Sequence, residues 1–316
     1  QNYPDRIKEL ESASTKGCDV CIQHTLPHLY SYDSRYKNIA FLAVESSHFK
    51  DTGWQHNINL MDELWVPSNS AKVSCENSDV KIPIKVAPHS LDISKYQKEN
   101  GGNKIEEMLP TFNFAFIGEF IERKNLQALI RAFHLEFDFQ EPVNLLIKTS
   151  KVELPQIQDY IKHVKSGLKI RSRYREEIII AGRLEEKDYV SVLGQCHSFV
   201  MPSRGEAFCI PALEAMSLGV PVIHTANTGM DDFCIGASVE SSSVPCLGAV
   251  STISNLDTAR SEWQEINIKK LCSAMREAYQ KWNSQESQED SEKVKVHASG
   301  YDHANVGKQL KELLND

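Results

Sequence analysis

Apolar and polar positions alternate along the chain in two rhythms. Short β-rich apolar runs occupy residues 19–24, 38–44, 63–67, 84–88, 112–117, 143–148, 177–181, 198–201 and 220–224. Amphipathic stretches with helical spacing separate them, as in residues 125–134, where Leu126, Leu129, Ile130 and Phe133 fall on one face. Strands that alternate with helices predict parallel sheets covered by crossover helices, an α/β architecture. The rhythm breaks over residues 92–110, a charged stretch carrying Asn100, Gly101, Gly102 and Asn103, and this reads as a linker between two α/β units. Near the end, residues 266–282 and 303–314 read as helices, the second burying Val306, Leu310, Leu313 and Leu314. The polar run 285–293 between them reads as a solvated charged loop.

A chain of 316 residues has room for two ordinary domains, and 41% hydrophobic with 25% charged residues is the composition of a globular protein. The net charge of -8 argues against a nucleic-acid binder, which neutralises phosphates with Lys and Arg, and against a polybasic membrane-docking surface. No apolar run approaches the roughly 18–20 residues of a membrane span. Of the eight cysteines, only Cys18 and Cys21 have a C-x-x-C spacing; Val20 and Ile22 make that stretch read as a buried strand, and no second pair completes a zinc site. A reducing, cytoplasmic setting is expected. The chain opens at Gln1 directly in a helix-like stretch, so an upstream segment is expected to be missing or never to have been present.

The densest chemistry lies in MPSRGEAFCIPALEAMSLGVPVIHT, residues 201–225. A strand ends at Met201, a loop carries Ser203 and Gly205, and a short helix opens at Pro211, whose fixed φ suits a first helical position. Gly219 ends that helix. The free amides around Phe208–Leu213 then lie at a helix N-terminus on the C-terminal edge of the sheet, where a diphosphate binds naturally. Glu206 precedes the helix and Glu214 follows in its first turn, so two carboxylates can address opposite ends of one extended ligand. The plain alternative is that both simply complement the helix dipole, each contributing a few tenths to about 1 kcal/mol.

This segment resembles the E-x7-E region of retaining GT-B glycosyltransferases of family 4. The resemblance implies two Rossmann-like domains facing across a cleft, here 1–95 on the acceptor side and 107–295 for the nucleotide sugar, with a helix at 300–316 crossing back to the first. It implies Glu206 for the donor sugar, the backbone of Phe208, Cys209 and Ile210 for sugar and diphosphate, and Glu214 for the ribose. The segment FAFIGEFIERKNLQALIRAF resembles the family's first C-domain strand, loop and helix. Relatives carry an Arg directly after the Gly of that loop; here Gly118 is followed by Glu119, and Lys124 with Arg123 is the candidate clamp for the departing diphosphate. Lys148, and Gly182, Arg183 and Leu184 of IAGRL, correspond to positions near the nucleotide.

The N-terminal half resembles the same family in DVCIQHTLP, NIAFLAVESSHF, LMDELWVPSNSAKV and IPIKVAPHSLD, with Ser90 where a Gly is commoner. His24, Glu45 and His48 are acceptor-side candidates at strand ends. The strand and Gly-rich loop with which family members open are not seen, so the first domain is expected to be incomplete. The implied reaction is transfer of a hexose-type sugar from a nucleoside diphosphate (UDP, GDP or ADP) to a hydroxyl of a carbohydrate, lipid-linked or other acceptor, with retention. No D-x-D stands where a metal-dependent transferase needs one, so no essential metal and no cofactor beyond the donor is expected. The alternatives are a nucleotide-sugar-binding protein without turnover, and an epimerase or phosphorylase of the same architecture.

Overall fold

The computed structural model describes residues 5–96, 102–108, 110–170, 173–249, 253, 255–282 and 284–315. Residues 97–101 and 109 of the expected linker lie outside the described residues.

After a short helix α1 (Asp5–Glu11), the first sheet is built from β1 (Val20–His24), β2 (Lys37–Phe41), β3 (Glu63–Val66) and β4 (Ile84–Val86), all parallel and paired in chain order. Helices α2 (Trp54–Ile58) and α3 (Asn69–Asn77) cover one face, where Ala40, Leu42, Leu64, Val66, Trp54 and Ile58 form the core. The strand 19–24 read as buried is the half-exposed edge of this sheet, with Ile22 exposed and Cys18 at the surface. The apolar run there reflects one covered face, not two.

The second sheet holds β5 (Phe112–Ile117), β6 (Val143–Thr149), β7 (Ile178–Ala181), β8 (Ser198–Met201), β9 (Val222–Thr225) and β10 (Gly236–Val239) in the order β10-β9-β8-β5-β6-β7, every pair parallel. Its helices are α4 (Leu126–Glu136), α5 (Leu154–Leu168), α6 (Glu186–Leu193), α7 (Ile210–Ser217) and α8 (Ile268–Lys281). Every position of β5, β8 and β9 is buried, as a parallel strand covered on both faces requires. The chain runs outward from β5 to β7, returns to place β8 beside β5, and runs outward again. The reversal leaves a crevice at the C-terminal ends of β5 and β8, the place where open α/β sheets bind ligands.

The charged run 285–293 is a helix, not a loop: α9 (Gln285–Ser299) begins at Ser284, whose hydroxyl accepts from the Ser287 amide, and continues past the polar window. Its buried positions, Val294 and Ala298, lie beyond that window, and α9 packs on α7. The last helix, α10 (His303–Asn315), buries Val306 and sets Leu310, Leu313 and Leu314 against Ile39, Trp65 and Ala87 of the first sheet. Burying such side chains contributes roughly 1.5–3 kcal/mol each when complete, so α10 is a substantial tie between the two units.

A second tie is the hairpin β11 (Ser241–Pro245) and β12 (Glu262–Ile266). The Ser47 amide donates to the Glu262 carbonyl at 3.0 Å, the Glu262 amide donates to Ser47 Oγ at 2.8 Å, and Ile253 and Leu256 from the connecting loop pack on the first core. The closest approach is at Gly205, where an added Cβ would lie 1.9 Å from the Glu45 carbonyl oxygen. Gly205→Ala therefore pushes the two units apart, at a cost of about 1–3 kcal/mol for an overpacked contact. Hydrogen exchange should quicken at residues 44–48 and 204–206 in the variant; unchanged protection there would contradict this contact.

Candidate active site

The loop after β5 closes on Gly118, whose amide donates to the Lys148 carbonyl at 3.1 Å, and then forms a single 3-10 turn, Glu122–Lys124. Asn125 ends it in the left-handed region at φ 52° and starts α4. The loop after β8 lies against it. Arg204 N and Ser203 Oγ both donate to the Arg123 carbonyl, at 2.7 and 3.1 Å, and Arg123 Nη1 donates to the Gly205 carbonyl at 2.5 Å. The crevice is thus lined by two loops stitched to each other.

Glu206 is held at the centre of this arrangement, 6% exposed. Lys124 Nζ stands 2.6 Å from its Oε1 and Arg123 Nη1 3.3 Å from the same atom. Burial alone would raise the Glu206 pKa, but Lys124 and Arg123 outweigh it and hold the carboxyl below its ordinary range. The same attraction raises Lys124 and Arg123 against the opposing effect of their own burial. Arg123 Nη2 also reaches Glu45 Oε1 of the first unit at 3.3 Å, so one guanidinium joins both walls of the cleft. Burial raises the Glu45 pKa, with Arg123 opposing.

Glu206 leads into α7, which starts at Ile210, one residue before the expected Pro211, so that Glu214 is its fifth residue. Cys209 is the N-cap residue, at φ 90°, an unusual conformation for a side chain with a Cβ. The amides of Phe208, Cys209 and Ile210 precede the first intrahelical bond and so are available to an anion, with the helix dipole behind them. Phe208 is clamped in place by Phe233, stacked at 4.2 Å and 10°, and by the edge of His89 at 5.4 Å. Glu214 is half-buried and accepts hydrogen bonds from Tyr96 Oη, at 2.8 Å, and from Tyr189 Oη.

The remaining candidates divide. Lys148 ends β6 half-buried, with no side-chain partner among the described residues, and Gly182 follows β7 at φ 100° with Arg183 exposed and Leu184 half-buried beside it. His24, at the end of β1, packs 4.4 Å from the Phe41 ring and 6.3 Å from that of His89, on the side of the cleft that leads to Phe208. His48 is turned elsewhere: its Nδ1 accepts from the Lys50 amide at 3.4 Å and its Nε2 meets the Arg260 carbonyl at 3.0 Å, fixing the hairpin loop to the first unit. Glu119, where relatives carry Arg, pairs with Lys151 at 2.5 Å.

Sequence reasoning passed over Tyr96, Tyr189, His89 and Arg204. Arg204 fixes the loop through Glu265 at 2.5 Å and Glu122 at 2.7 Å, and Asp232 Oδ2 accepts from the Asn69 amide at the start of α3, at 2.6 Å. Arg204 lay within the motif, His89 in the segment IPIKVAPHSLD and Tyr96 in the apparent linker. Asp232 sits in the 3-10 turn Gly229–Asp232, next to Asp231. Next to Glu45 and Glu206 lies a cavity of about 470 Å³ between α3 and the hairpin, bordered also by Ser46, Asn69, Thr228 and Trp263.

Two parallel α/β units meeting across a cleft, with an anion-ready helix start and buried cations at the switch of the second sheet, define a GT-B architecture. Residues 102–237 match the glycosyl transferases group 1 family, and residues 183–312 match the family 4 glycosyltransferases in conflict systems. Among curated relatives, an uncharacterized glycosyltransferase of Methanocaldococcus jannaschii is 29% identical over 176 residues, 54% of this chain and 44% of that one. The serotype-specific mannosyltransferase WbdA of Escherichia coli is 30% identical over 116 residues, 35% of this chain and 13% of that one. The chain thus spans less than half the length of these relatives.

Among solved structures, trehalose-6-phosphate synthase OtsA superimposes with a TM-score of 0.66 at 10% identity, over 98% of this chain and 74% of that one. Anabaena HepE in complex with UDP and glucose gives 0.58 at 15% identity, over 89% and 72%. These likenesses concern the fold. No helix among the described residues is long and apolar enough to cross a membrane.

Removing the nearer of its two cations leaves the buried Glu206 carboxylate with Arg123 alone, so Lys124→Met should destabilise at pH 7 by up to about 3–5 kcal/mol, the cost of a fully broken buried pair. A carboxyl with a depressed pKa contributes its stability above the unfolded value of roughly 4.3 and loses it as pH falls further. Denaturant titrations of wild type and variant should therefore begin to converge as pH falls below about 4, and the gap should close only as pH passes the depressed pKa of folded Glu206. A stability gap that persists undiminished in acid would show that Glu206 is not the partner that matters.

Proposed function

We propose that this chain transfers a sugar from a nucleoside diphosphate to an acceptor hydroxyl, with retention at the anomeric carbon. One observation carries the reading: the carboxylate of Glu206, between Lys124 and Arg123, stands directly before the N-terminus of α7. That arrangement sorts charge for a departing diphosphate. Lys124 and Arg123 stabilise the negative charge that grows on the leaving group, the amides of Cys209 and Ile210 receive its oxygens, and Glu206 holds the sugar. Glu214 accepts from the ribose hydroxyls. Gly118 lets the phosphates approach the first loop, Lys148 adds a cation at their flank, and Gly182, Arg183 and Leu184 face the base.

Because the protein supplies two cations and a helix start where the charge develops, the reaction needs no metal in this scheme. The chain's two units are the acceptor-side domain of residues 1–95 and the donor domain of residues 107–295. The acceptor would enter the cavity beside Glu45, whose serine, threonine and asparagine borders suit a hydroxylated molecule. His24 lies on the opposite side, toward Phe208, and His48 serves the hairpin loop.

Incubation with UDP-, GDP- and ADP-sugars, read by thermal shift and by release of nucleoside diphosphate, tests the proposal. The matching donor should raise the melting temperature and release its diphosphate with acceptor present, and EDTA should leave the rate unchanged. Glu214→Ala should weaken donor stabilisation, and Glu206→Gln should lower turnover by at least about 100-fold, the scale of a lost transition-state contact. Stabilisation without release would identify a binding protein instead, and an inverted product anomer would end the retaining assignment.

A further inference from the structure

We infer that Tyr96 and Tyr189 are positioning residues that orient the Glu214 carboxylate for the ribose diol, making the segment between the two sheets part of the donor site. The inference rests on the reading of Glu214 given above. The two phenols approach different oxygens of one carboxylate: Tyr96 Oη donates to Oε1 at 2.8 Å, and Tyr189 Oη donates to Oε2. They come from unrelated places, Tyr189 from α6 and Tyr96 from the end of the 3-10 turn Ile93–Lys95 that follows the first sheet.

An ionised carboxylate offers about four acceptor positions. Two are filled from the protein, which fixes the plane of the group and leaves two for a vicinal diol. A glutamate on a helix would otherwise swing through several rotamers, and ordering it on binding would cost affinity. Burial, aided by Glu214 itself, raises both phenol pKa values, so the hydroxyls remain donors throughout the physiological range.

Tyr96 is itself buried, at 8% exposed, and its neighbour Lys95 pairs with Glu186 of α6 at 3.2 Å. The Asn103 amide donates to Asp188 of the same helix at 2.9 Å. The connection is therefore fastened to α6 at Lys95 and again at Asn103, and it delivers Tyr96 to Glu214 from outside the second sheet. Movement of the first unit that pulls on this connection would loosen the ribose contact.

The test compares binding of the nucleoside diphosphate that best stabilises the wild type, chosen from UDP, GDP and ADP, with that of its 2′,3′-dideoxy analogue. Four proteins are measured by calorimetry: wild type, Glu214→Ala, Tyr96→Phe and Tyr189→Phe. The inference expects wild type to prefer the ribonucleotide, Glu214→Ala to lose the preference, and each Phe variant to weaken ribonucleotide binding by about tenfold. Dideoxy binding should stay unchanged in both Phe variants, a result that misfolding could not give. If wild type shows no preference, or Glu214→Ala keeps it, the ribose role of Glu214 fails and this inference with it. If Glu214→Ala loses the preference while the Phe variants retain it, or bind the ribonucleotide more tightly, only the positioning role is overturned.

Discussion

The structure depends on one buried carboxylate, Glu206, kept ionised by Lys124 and Arg123. Each of the three charges would be costly in the interior by itself, and together they are tolerable only because the loops after β5 and β8 hold them within 2.6 and 3.3 Å. That constraint explains the backbone stitching between the loops, the absence of a Cβ at Gly205, and the reach of Arg123 to Glu45 on the facing wall. A cluster that offsets itself in this way is also one that an arriving anion can redistribute. Lys124 can exchange one oxygen for another without leaving its place.

The fold supplies the position. In the second sheet the chain reverses between β5 and β8, so the two loops that leave their C-terminal ends diverge around a crevice. The helix after β8 begins in that crevice and points its unpaired amides into it. The first unit, tied by α10 and by the hairpin, forms the other wall. The geometry of the candidate site therefore comes from strand order and two loops, while the ties decide how closely the walls approach.

The apolar runs made the sheets legible, because a parallel strand covered on both faces, such as β5 or β8, is apolar throughout. The edge strand β1 misled for the same reason: five residues with one covered face look much like a buried strand. Helix α9 was hidden because its first two turns face solvent and its buried positions, Val294 and Ala298, come late. Strands β10, β11 and β12 carry too few apolar residues to stand out. In the site, Glu206, Lys124 and Arg123 were legible through the family resemblance of their two segments, and the structure brings those three together. Glu45, which meets Arg123, and the two tyrosines that meet Glu214 belong to distant segments, and only folding places them nearby.

The most direct test is a structure of the chain with its preferred nucleoside diphosphate sugar bound. The account predicts the diphosphate at the first turn of α7, within hydrogen-bond distance of the Cys209 and Ile210 amides and of Lys124 Nζ, with the sugar against Glu206 and the ribose hydroxyls on Glu214. A nucleotide bound elsewhere, with the Lys124–Glu206 pair undisturbed, would contradict it.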